Sequence, residues 1–83
     1  MVDRTRTIWK KKVGLASVVE FGEVVVSQND TITYDTMSSV TRAYFLRSDT
    51  GGIVASTEAT NQSTITTAIT DIRCCYLAFG DRI

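Results

Sequence analysis

The 83-residue sequence contains no histidine. That removes the commonest general base and the usual partner of a nucleophilic serine or cysteine. Proline is absent too, and Cys74 and Cys75 are the only cysteines. Neighbouring residues of a strand point to opposite faces, so these two do not pair with each other without severe distortion. Zinc takes about four N, S or O ligands, and two cysteines without histidine fall short. The expectation is no metal and no other cofactor, with both thiols reduced and buried as small hydrophobes in a cytosolic setting; an interchain disulfide is the lesser alternative. No apolar run approaches a membrane span and no secretion signal opens the chain, so a soluble protein with no membrane partner is expected. Neither the GxxxxGK(S/T) phosphate cradle nor a calcium loop occurs. The three lysines sit together at Lys10–Lys12, away from any marked serine, and the carboxylates are scattered singly. An enzyme with a small-molecule substrate is therefore not expected.

What is present points to strands. Hydrophobic residues make up 43 % of the chain, and Thr and Ser together number 20. Threonine and valine favour a pleated surface over a helix. A chain this short makes one domain and buries only about 60–65 % of its unfolded surface. Small domains often gain the missing stability from disulfides, metals or partner chains, and only the last remains here.

The clearest local signal is Thr41–Thr57. Two β-prone runs, Ala43–Leu46 and Ile53–Ser56, flank the turn cluster Ser48-Asp49-Thr50-Gly51-Gly52 and predict a hairpin. A second hairpin is predicted from Glu23–Ser27 and Thr31–Asp35 around Gln28-Asn29-Asp30. Val13–Glu20 fits either a short helical face or alternation through Leu15, Ser17, Val19 and Phe21, and reads as a strand or extended lead-in. Glu58–Ser63 reads as a loop. In Thr64–Asp71 the isoleucines 65, 69 and 72 are spaced as in a helix, but the threonines favour a strand, which is the expectation taken. Ile72–Phe79 is a last strand, ended by Gly80-Asp81. Asn29 and Asn61 each stand in an Asn-x-Ser/Thr context, which marks surface loops. Six or seven short strands with frequent turns predict an all-β fold, a small antiparallel β-sandwich or barrel with an extended N-terminal arm.

Two of these strands are apolar on both faces. In Ala43–Leu46, Tyr44 and Leu46 point one way, Ala43 and Phe45 the other. In Cys74–Phe79, Cys74, Tyr76 and Ala78 oppose Cys75, Leu77 and Phe79. One side of each fills the core, and the other must be covered or left wet. Either a second chain covers it, or Val13–Glu20 does so within the monomer; the short chain favours the former.

Net charge is zero but divided. Residues 1–12 carry net +4, and residues 13–83, the single β domain, carry −4. The basic arm predicts an acidic partner or a solvated tail. Trp9 within it either anchors in a partner's pocket or folds back on its own domain. The expected protein interface thus comprises Ile8, Trp9, Lys10, Lys11 and Lys12 of the arm with Tyr44, Phe45, Leu77 and Phe79 of the two strands. The rival is a single-stranded nucleic-acid-binding barrel that stacks bases on Tyr34, Tyr44, Phe45 and Tyr76; the body's −4 makes nucleic acid the less favoured partner.

The Thr/Val-rich body, its TITYD (31–35) and AYFLRSDTGGIVAST (43–57) hairpins and the TRTIWKKK arm (5–12) together resemble the cement or decoration proteins of tailed-phage capsids, a likeness of style over the whole chain without a signature motif. Tail and head–tail joining proteins share the style. The resemblance implies a virion structural protein that bridges and stabilises coat subunits. Its partners would be the major coat protein and further copies of itself, as dimer or trimer, and its place the capsid surface after synthesis in the host cytoplasm.

Overall fold

A computed structural model describes residues 2–83, and within them the β-branched and aromatic runs form eight strands and no helix. The strands are β1 (Thr7–Val13), β2 (Ser17–Val26), β3 (Thr31–Thr33), β4 (Met37–Arg47), β5 (Ile53–Val54), β6 (Ser56–Ala59), β7 (Gln62–Ile65) and β8 (Ile72–Arg82). They build two sheets, a large one in the order β1-β2-β8-β4-β5 and a small one in the order β3-β7-β6. Every pairing of these strands is antiparallel. The fold is a small β-sandwich.

The core lies between the sheets. From the large sheet, Val18, Val24 and Val26 of β2, Val40, Ala43 and Phe45 of β4, and Cys74, Tyr76 and Ala78 of β8 face inward. Val54 of β5 joins them from the same sheet, and Ile32, Tyr34 and Ile65 close over them. These positions alternate with exposed or half-exposed neighbours, the period-two pattern of a sheet with one face on a core.

The central hairpin forms where the sequence predicts it, with Phe45 opposite Val54 and Leu46 opposite Ile53. Gly51 adopts φ 74° in its turn, a region open to glycine at no steric cost. Its first strand starts earlier, at Met37, and its second is only two residues long. The predicted pairing of Glu23–Ser27 with Thr31–Asp35 does not form. Asn29 at φ 71° and a bond from the Ser27 N–H to Asp30 Oδ2 turn the chain out of one sheet and into the other. Residues 58–63 are not a loop but the β6–β7 hairpin, which turns tightly on Thr60 at φ 55° and Asn61.

The strand expected over 64–71 stops at Ile65. Beyond it the backbone is irregular and tied to neighbouring segments, by the Thr66 N–H to Ala55 O and by the Gln28 N–H to Ile69 O. Ile69 and Ile72 still pack against the core. Their helix-like spacing therefore reflects a loop that returns to the core three times.

The N-terminal segment departs furthest from expectation. Met1 lies outside the described residues. The Thr31 N–H donates to Val2 O, and the Arg4 N–H to Thr31 O, so residues 2–4 run along the edge of the small sheet. Residues 7–13 then become the edge strand of the large sheet. Instead of hanging free, the chain's opening residues strap one side of the sandwich shut.

Two glycines permit this packing. A Cβ on Gly22 would lie 2.0 Å from Thr7 O, where β1 bulges at Trp9. One on Gly80 would lie 2.1 Å from Ser39 O and 2.7 Å from Val40 Cα, opposite a bulge in β4. Backbone cannot yield as a flexible side chain can, so Gly80→Ala should cost about 1–3 kcal/mol of unfolding free energy in urea. Gly14→Ala, whose nearest neighbours stand 3.5 Å away, should change it by no more than about 0.5 kcal/mol.

Candidate functional site

Residues directly opposite in an antiparallel pair share a face. The registers of the large sheet therefore place Val19, Phe21, Glu23 and Val25 of β2 beside Phe79, Leu77, Cys75 and Arg73 of β8. On the other flank Tyr44 lies opposite Leu77, Leu46 opposite Cys75, and Arg42 opposite Phe79. Ile53 extends the row through Leu46, and Lys10 and Lys12 extend it past Phe21 and Val19. This is the outward face, and no segment of the described chain lies over it. Tyr44 is 53 % exposed, Leu46 46 %, Phe21 40 % and Ile53 82 %. The rings of Tyr44 and Phe79 stand 6.5 Å apart in a tilted contact at its centre. Arg42, Arg73, Lys10 and Lys12 rim it, with Glu23 and Asp81 as counter-charges. Arg73 Nε sits 3.8 Å from Glu23 Oε2. An open groove of about 440 Å³ continues the surface over the β4–β5 hairpin to Glu58.

The expected interface residues divide three ways. Tyr44, Leu77 and Phe79 lie on the outward face, joined by Lys10 and Lys12. Trp9 sits at the β1 bulge, 57 % exposed, and is not part of the core. Ile8 and Lys11 pair with Gly22 and Glu20, on the opposite side of β1. Phe45 is corrected: at 1 % exposure it belongs to the core, stacked on Tyr76 with ring centroids 6.0 Å apart, and cannot meet a partner. Val19, Phe21, Ile53, Arg42 and Arg73 are not assigned to an interface by the sequence, whereas Leu46 lies on the face of Tyr44, as its alternation predicts. The alternation Leu15, Ser17, Val19, Phe21 was the available signal, and it marks the wet side of β2. The stretch Val13–Glu20 completes β1 and begins β2 beside β8, so it covers neither strand.

A second cluster is buried. Glu20, fully inside, accepts hydrogen bonds from Arg6 Nε and from Tyr76 Oη. Arg6 also donates to Thr33 O at 2.7 Å and to Asp35 Oδ1 at 3.1 Å, and its guanidinium lies 5.3 Å from the Tyr34 ring centroid. Burial pulls the Arg6 guanidinium down, but Glu20 overrides it and holds it above its ordinary value. Burial, then Glu20, push the Tyr76 hydroxyl up. This is a charged pair with its hydrogen bonds satisfied and no solvent access to the carboxylate. It fastens the N-terminal strap.

Arg4 fastens the same strap, through Asp30 at 2.6 Å and Asp71 at 2.9 Å. Lys10, Lys11 and Lys12 have no carboxylate at ion-pair distance among the described residues. Among those residues no group of three or more Cys, Asp or Glu is placed to hold a metal ion. Burial raises the Cys74 thiol, while Cys75 is half-buried on the outward face beside Ser48.

Comparison with known proteins finds no matching family model, no similar curated protein and no similar solved structure.

Removing one member of a buried pair leaves the other charge stranded. Arg6→Ala should therefore lower unfolding free energy by about 3–5 kcal/mol, and the double variant R6M/E20M should recover most of that loss. Acid should loosen the strap as well. Burial pushes the Asp30 carboxyl up, but the Ser27 N–H and Arg4 more than offset this and hold it below its ordinary value. The Arg6 hydrogen bond depresses Asp35 in the same direction. A depressed carboxyl contributes stability that is present above its unfolded value, near 4, and is lost as pH falls through the folded one. Thermal midpoints measured from pH 7 to 2 should drop below about pH 4, and Arg4→Gln should flatten that limb.

Proposed function

We propose that this chain is a non-enzymatic virion structural protein, a capsid cement or decoration protein that bridges coat subunits. The single observation that carries the reading is the outward face of the large sheet. A monomer of this size that leaves Phe21, Tyr44, Leu46 and Ile53 wet on one contiguous surface is built to have that surface covered. Covering it gains roughly 25 cal/mol per Å² of apolar area before the costs of association. Trp9, displayed at a bulge on the adjacent edge and flanked by unpaired lysines, supplies an anchor for an acidic, grooved coat subunit. The buried carboxylates support the non-enzymatic part, since Glu20 is committed to Arg6 and Tyr76, and Asp30 to Arg4 and the Ser27 N–H.

Binding of single-stranded nucleic acid is the second reading. Phe21, Tyr44 and Phe79 share the face with Lys10, Lys12, Arg42 and Arg73, a stacking platform with a basic rim. Val19, Leu77, Leu46 and Ile53 occupy most of the same area and suit a protein partner better.

The test is co-expression of this chain with the coat proteins of its own genome, followed by particle purification and quantitative mass spectrometry. The expected result is a fixed ratio to the major coat protein, reduced at least tenfold by Trp9→Ala. Absence from washed particles, together with salt-sensitive protection of a labelled oligonucleotide, would replace the capsid reading with the nucleic-acid one.

A further inference from the structure

Two opposite charges of β8 stand at equal distances from Leu77 on the outward face. On β8, Asp81 lies four residues to one side of Leu77 and Arg73 four residues to the other, and both point outward. Across the neighbouring strands, Lys12 stands level with Phe79 through Val19, and Glu23 stands level with Cys75. Phe21 and Tyr44 flank Leu77 at the centre. Asp81 and Arg73 thus occupy mirror positions about a line that crosses the strands at Leu77, with Lys12 and Glu23 on opposite sides of that line on adjacent strands.

We infer that the outward face of the large sheet binds a second copy of this chain, stacked face to face about a twofold axis that runs across the strands through Leu77. That rotation carries Asp81 of each copy onto Arg73 of the other, and Lys12 onto Thr7, one strand away from Glu23. Leu77, Phe21 and Tyr44 meet their own counterparts on the axis. A twofold interface joins the same patch to itself, so each complementary pair occurs twice. The other face-to-face rotation, about an axis along β8, would set Asp81 against Asp81 and Arg73 against Arg73. Charge therefore selects the crosswise axis. Lys10 meets its own copy only at the wet rim, where the ammoniums splay into solvent.

The area suffices. Four strands about 4.8 Å apart and nine residues at about 3.4 Å each give a footprint of roughly 500 Å² per copy, or about 1,000 Å² in all, the lower bound for a specific interface. The Arg73–Glu23 contact within one chain is loose at 3.8 Å, and Arg73 is 66 % exposed, so both groups are available to the second copy. This inference rests on the reading that the face is covered in the assembled state, and it names the cover.

Sedimentation equilibrium of the full chain tests it, with urea unfolding of each variant as a control for folding. The wild type should be a dimer at micromolar concentration, and Leu77→Glu a folded monomer. D81R and R73D should each weaken dimerisation about ten- to thirtyfold, because two pairs are lost and two repulsions gained. The exchange D81R/R73D should bring it back to within about threefold of wild type. A monomeric wild type, a dimer indifferent to Leu77→Glu, or an exchange that fails to rescue each overturns the inference. Recovery of a monomeric wild type on particles would leave the capsid reading standing without the dimer. A dimer with the expected exchange behaviour that never joins particles would do the reverse.

Discussion

The buried pair of Arg6 with Glu20 governs this structure. A carboxylate inside a sandwich is tolerable only with its charge and lone pairs met, and Arg6 and Tyr76 meet them. Once Glu20 points inward, the pleat decides the rest of β2. Val18, Gly22, Val24 and Val26 share its side, and Val19, Phe21 and Val25 are turned to water. The same bond pulls residues 2–13 onto the body, as strap and then as edge strand. The apolar outward face and the closed flank have a common origin.

That origin explains which parts of the fold were legible. Turn chemistry announced the hairpin around Gly51, and a continuous apolar run announced β8. Both asparagines of the Asn-x-Ser/Thr contexts do sit in turns, Asn29 between the sheets and Asn61 between β6 and β7. The doubly apolar character of Ala43–Leu46 and Cys74–Phe79 was read directly from side-chain alternation, and Tyr44 and Leu77 lie where it put them. Phe45 was misassigned because alternation gives two faces without saying which is wet. Phe21 and Glu20 were opaque for a stronger reason. Hydrophobicity ranks the phenylalanine inside and the glutamate outside, and only a partner fourteen residues away inverts the order.

The N-terminal segment was opaque in the same way. Its charge excess suggests a solvated arm, yet Arg4 and Arg6 are neutralised by Asp30, Asp71, Glu20 and Asp35, which sequence scatters over the body. What remains is a lysine run on an exposed edge. Lysines and a bulge on an edge strand discourage further strands from pairing with it. Association is thereby directed away from the sheet's rim and onto its face, where side chains, not backbone, choose the partner.

The strand order of the large sheet carries one more consequence. β8 lies at its middle, between β2 and β4, yet it is synthesised after both. A nascent chain therefore holds two long strands with no neighbour between them until β8 emerges from the ribosome. Assembly of this half of the sandwich is a non-local event that waits for β8, which acts as its keystone.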